Sequence, residues 1–114
     1  MSDPRLKQIK IKTGVLKRSG KEKLSCRKEA DQQKIKIEKM KTDGKDSHDI
    51  KKMGEVLQET LMMIPDCHRR LLAAHGELSA MLETEADLNA DGKCEEFIAA
   101  EAMLKEGEEQ MKVV

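Results

Sequence analysis

Between Asp49 and Leu88 the chain carries two interleaved series with a period of seven: Ile50, Leu57, Ile64, Leu71 and Leu78, and Met53, Thr60, Cys67, Ala74, Met81 and Leu88. Such a double series is the a/d seam of a helix packed lengthwise against other helices, since these positions fall on one helical face. The spacing predicts a helix over 49–88, with Ser47 or Asp49 as its cap and Thr84 as a possible fresh start near its end. Pro65 falls inside it, where the missing N–H and the ring's clash with the preceding turn cost about 3 kcal/mol. A turn there would insert residues and shift the seam, yet Ile64 and Leu71 stay in phase. A continuous helix kinked at Pro65 is therefore expected.

Residues 5–41 also read as helix, with one phase in Leu6, Ile9, Thr13 and Leu16 and another in Cys26, Ala30, Gln33, Ile37 and Met40. The phase changes at Gly20, a soft point that costs about 1 kcal/mol against alanine. Thr42–Ser47 reads as a turn, and Asn89–Gly92 as a second turn before a helix over about 93–112. That third helix places Phe97, Ala100, Leu104, Gly107, Met111 and Val114 on one stripe. Three helices joined by short turns predict an all-α, antiparallel, up-down-up three-helix bundle, one domain over 1–114 with coiled-coil, spectrin-like packing. The composition agrees: 39% of residues are charged and the one aromatic is Phe97, so aliphatic and Met side chains must build the core.

The start Met1-Ser2-Asp3-Pro4-Arg5 has no apolar stretch behind it and no segment is apolar over a membrane's width, so a cytoplasmic location is expected. Cys26, Cys67 and Cys94 are odd in number and contain no Cys-x-x-Cys pair, which suggests neither a disulfide framework nor a zinc site. The zero net charge hides a segregation: residues 1–52 hold 17 Lys and Arg against 8 Asp and Glu, residues 53–114 hold 5 against 14. Either the halves neutralise each other on packing or the dipole steers a charged partner.

Chemical motifs do not survive scrutiny. Gly14–Lys21 superficially resembles a phosphate-binding loop, but five residues separate its glycines, Glu22 replaces the hydroxyl that would bind magnesium, and no strand precedes it. Asp87, Asn89, Asp91 and Gly92 begin like a calcium loop, and Glu95 suits its ninth position. The twelfth, which needs a bidentate glutamate, is Ile98. His68 and His75 stand two turns apart on one helix and cannot share a metal or proton. No catalytic pairing is legible, so the reading is a binding protein without cofactors, not an enzyme. Acids at Glu22, Glu29, Asp31 and Glu38 interrupt the basic first helix, which has no aromatic to stack on bases, so nucleic acid is not an expected partner.

Longer strings carry a resemblance. Asp3–Arg5, Gln8–Val15, Lys17-Arg18, Lys21–Lys23, Lys28–Ala30 and Lys36–Met40 resemble the first helix of the tubulin-binding cofactor A family. Asp49–Lys52, Leu57–Glu59, Met62–Cys67 and Arg69–Leu71 resemble its second, and the similarity runs from about Asp3 to Leu104. The resemblance implies a three-helix chaperone that captures quasi-native β-tubulin after chaperonin release and passes it on, with further tubulin-folding cofactors as partners. It implies a cytoplasmic, cytoskeleton-associated protein, monomeric or a weak homodimer, without membrane contact. Candidate client-binding residues within the matching strings are Lys10, Lys12, Lys17, Arg18, Met62, Met63, Pro65, Arg69 and Arg70. The basic members suit an acidic client, and the flexible thioethers of the methionines suit an incompletely folded one. The competing readings are a generic helical adaptor with another client and a degenerate calcium-binding helical protein. Leu24–Cys26, His48 and His75 depart from the family pattern, as do Gly20 and Gly76, which replace better helix formers.

Overall fold

A computed structural model describes residues 3–112. Helix α1 spans Pro4–Thr42, α2 spans Ser47–Thr84 and α3 spans Glu95–Lys112, with a 3₁₀ turn at Ala86–Asn89 between the last two. No strand occurs among the described residues, and none of their helices is long and apolar enough to cross a membrane. Helix α2 continues past Pro65 without interruption, as the unshifted seam predicts. Val114, placed on the third helix by its spacing, lies outside the described residues.

The helix ends are set by short side chains. The Asp3 carboxylate accepts the Arg5 backbone N–H at 3.0 Å, so Asp3 caps α1 with Pro4 in the first helical position, where a missing N–H costs nothing. The cap of α2 is Asp46, whose Oδ1 accepts the His48 N–H at 3.0 Å, in place of the expected Ser47 or Asp49. Thr84 begins no new helix: its hydroxyl donates back to the carbonyl of Ala80 and α2 ends there. At the end of α1, the Lys45 N–H reaches the Met40 carbonyl and the Gly44 N–H reaches that of Lys41, a Schellman closure. It requires a left-handed residue, and Gly44 supplies it with φ of 69°.

The chain divides into two compact units, Met1–Lys21 with His68–Val114, and Glu22–Cys67. In the first, pieces of all three helices surround a core of Ile9, Leu16, Leu71, Ala74, Leu78, Leu82, Phe97, Ala100 and Met103. Its contacts give the directions. Arg5 near the start of α1 pairs with Glu85 after the end of α2, whereas Leu16 and Gly20 meet Gly107 and Gln110 late in α3. Thus α2 runs antiparallel to α1 and α3, the expected up-down-up order. Met103 rather than Leu104 is the buried residue in the middle of α3; Leu104 is only partly covered.

The second unit is a hairpin of α1 and α2 alone. Two helices bury only the centre of the seam, at Thr60 and Cys67, and leave Ile50, Met53, Leu57 and Ile64 half-buried, while Leu71, Ala74 and Leu78 of the three-helix unit are buried. The supposed phase change at Gly20 also has another explanation. Buried positions on α1 run Ile9, Leu16, Lys23, Ala30 and Ile37 without a slip of the seven-residue spacing. Lys23 hides the repeat because a lysine is not read as a seam residue; only the companion positions shift, from Thr13 and Gly20 to Cys26, Gln33 and Met40.

Burial, and then the charge of Arg27 one turn on, push the Lys23 ammonium below a lysine's usual 10.5. The folded chain therefore binds fewer protons than the unfolded chain in the window just below 10.5, and stability should rise as pH climbs through it. Thermal melts of the parent and of Lys23→Met, at neutral pH and near 10.5, should show this rise in the parent alone.

Gly20 and Gly76, two of the glycines within helices, should behave differently. An alanine Cβ at Gly76 meets nothing within 4 Å, so Gly76→Ala should stabilise by about 0.5–1 kcal/mol through helix propensity. At Gly20 the same Cβ would overlap the amide end of Gln110 on α3, and Gly20→Ala should yield no gain because that side chain must first move. Urea titrations followed by circular dichroism at 222 nm would distinguish the two.

Candidate docking surfaces

Each expected client-binding residue lies on a helix, and the two units share them out. In the three-helix unit, Lys10, Lys17 and Arg18 are exposed on α1, and Arg69 and Arg70 are exposed on α2. Lys12 is half-buried and its ammonium donates to Glu77 Oε2 at 3.1 Å, so this lysine already neutralises an acid of α2. Lys10 borders an open groove of about 230 Å³ lined also by Thr13, Glu95, Glu96 and Ala99, and so faces acids of α3.

This unit also resolves part of the charge segregation. Residues 4–21 of α1 carry seven bases and no acid, and they pack beside an α3 with six acids against two bases. Neutralisation on packing thus takes up part of the dipole, while the outward Lys17 and Arg18 keep a basic surface. At the unit's end Arg5 makes a network. It donates to Asp3 at 2.9 Å, Glu85 at 2.7 Å and Asp87 at 3.2 Å, and its hydrogen bonds hold the Asp3 carboxyl below its ordinary value.

Asp87 is therefore turned to Arg5, and the other oxygens of the calcium-like sequence close the loop on itself. Asn89 Oδ1 accepts the Cys94 N–H and Asp91 Oδ1 accepts the Lys93 N–H, each at 3.0 Å, with Gly92 at φ of 72°. The sequence Gly14–Lys21 lies wholly within α1. His75 donates from Nε2 to the carbonyl of Leu104 at 3.1 Å, which ties α2 to α3.

In the hairpin unit, Met62, Met63 and Pro65 are exposed, Met62 by 73%. They occupy outward heptad positions, since Ile64, Thr60 and Cys67 hold the seam. Sequence reasoning passed over three companions, Leu24, Ile35 and Val56, which are also large, apolar and exposed, Ile35 by 70%. Leu24 and Ile35 stand eleven residues apart, three helical turns, and so share one side of α1. The signal was available: both break the seven-residue series, and an apolar residue off the seam of a packed helix is left in solvent.

The family model described as Tubulin binding cofactor A matches residues 4–104. The chain belongs to the tubulin binding cofactor A family. Tubulin-specific chaperone A of Gallus gallus is 54% identical over 105 residues, covering 92% of this chain and 94% of the relative. The Homo sapiens protein of the same name is 54% identical over 104 residues, covering 91% and 94%. The solved structure of human tubulin chaperone cofactor a superposes with a TM-score of 0.74 at 50% identity, covering 90% of this chain and 97% of that one. Tubulin folding cofactor A from Arabidopsis thaliana gives 0.78 at 33% identity, with 93% and 97% covered. In this chain Asp3, Pro4 and Arg5 of the first matching string are the cap, first helical residue and ion-pair centre of α1.

Proposed function

We propose that this chain is a tubulin-folding chaperone without catalytic chemistry, which captures quasi-native β-tubulin after chaperonin release and passes it to further tubulin-folding cofactors. The family membership across residues 4–104 carries this reading. The structure adds surfaces suited to the task. Lys10, Lys12, Lys17, Arg18, Arg69 and Arg70 bring positive charge to helix surfaces facing an acidic client, Lys12 from beside Glu77. Met62 and Met63, beside Pro65, offer adaptable apolar contacts, as do Leu24, Ile35 and Val56. With such a client the chain acts in the cytoplasm, alongside the cytoskeleton.

The test is capture of labelled β-tubulin released from chaperonin, by the parent and by the double variant Arg69→Gln/Arg70→Gln, after circular dichroism has shown that the variant remains helical. Electrostatic docking predicts weaker capture by the variant, a loss most visible at low salt because screening already weakens the parent at moderate salt. Equal capture by both at both salt concentrations would remove the two arginines from the docking surface. Failure of the parent to capture any β-tubulin would overturn the chaperone reading and leave a helical adaptor with another client.

A further inference from the structure

The hairpin unit contains two buried thiols face to face. Cys26 of α1 and Cys67 of α2, 41 positions apart in the chain, hold their Sγ atoms 3.3 Å from each other. Both sit on the seam, 8% and 2% exposed respectively. A metal needs more ligands than this, and among the described residues no group of three or more His, Cys, Asp and Glu comes together to hold one. We propose that Cys26 and Cys67 are a site of reversible oxidation by hydroperoxides to an intrachain disulfide that locks α1 to α2 within the hairpin.

The geometry asks little of the chain. A disulfide requires sulfurs about 2.05 Å apart, so the pair must close by a little over 1 Å, within reach of side-chain rotation. Cys26, the slightly less buried residue of the two, attacks a peroxide oxygen as its thiolate; the O–O bond breaks, Cys26 becomes a sulfenic acid, and the expelled hydroxide takes up a proton to leave as water. The Cys67 sulfur then attacks Cys26 Sγ; the S–S bond forms, the S–O bond breaks, and a second water leaves with the Cys67 proton. The two thiols thus supply the two electrons that reduce one hydrogen peroxide to two waters. Cys94 lies in the other unit, where its thiol donates to Glu96 Oε2 at 3.3 Å, and it serves as an internal control.

The crosslink closes the chain segment that holds the hairpin turn and so restricts the unfolded chain more than the folded one. The purified full-length chain is treated with a slight excess of hydrogen peroxide, quenched with catalase, unfolded in guanidinium chloride with N-ethylmaleimide, and weighed by mass spectrometry. The expected product has lost two hydrogens, takes one maleimide where the reduced chain takes three, and yields a peptide pair joining Cys26 to Cys67; dithiothreitol restores the original. Its melting temperature should rise by on the order of 10 °C. Cys94→Ser should keep that shift, and Cys26→Ser and Cys67→Ser should each lose it. Three maleimides after oxidation, oxygen additions without a crosslink, or a crosslink through Cys94 would overturn the assignment. These mass readings are made on the parent chain, so they hold even if a serine variant fails to fold.

Discussion

Phe97→Ala is expected to cost about 3–5 kcal/mol of stability. Phe97 is buried in the three-helix unit among Ile9, Leu82 and their neighbours and is the one aromatic in the chain. Its ring fills volume that aliphatic side chains on fixed helices cannot collapse into, so both the lost transfer energy and the cavity count against the variant. Domains of this kind are stable by roughly 0.05–0.15 kcal/mol per residue, so the loss is a large fraction of the whole. With no Trp or Tyr for fluorescence, the measurement is urea unfolding by circular dichroism at 222 nm. A fall in midpoint with unchanged slope is the expected result; a loss below about 1 kcal/mol would mean that the core repacks freely around the gap.

Leu71→Ala should cost about 2–5 kcal/mol, and Leu72→Ala, its immediate neighbour, no more than about 0.5 kcal/mol. The contrast follows from position on α2. Leu71 continues the series Ile50, Leu57 and Ile64 and is 0% exposed at the junction with α1 and α3, whereas Leu72, one residue off the seam, is 41% exposed. The same titration on both variants tests the register of the helix through Pro65: a slip of one residue would exchange the two values.

The repeat from Ile50 to Met81 was enough to determine the helix, its register and its continuity through Pro65, because phase is a property of spacing alone and survives a lost hydrogen bond; Leu88, expected on the same helix, falls in the 3₁₀ turn beyond its end at Thr84. It also determined the helical class, and the matching strings determined the family. The outward position of Met62, Met63, Arg69 and Arg70 follows from the same register, since whatever is not on the seam faces out. Tertiary structure decided what depends on which helices meet. The same seam is half-buried at Ile50 and Leu57 and fully buried at Leu71 and Leu78, because the 18-residue α3 covers only part of it. Lys23 occupies a seam position that composition assigns to solvent, and Gly20 leaves room for Gln110. Lys12 spends its charge on Glu77, and Cys26 meets Cys67. Each of these contacts joins residues on different helices, more than 40 positions apart in the last two. Periodicity reports which face of a helix a residue occupies; the identity of the side chain opposite comes only from how the helices pack.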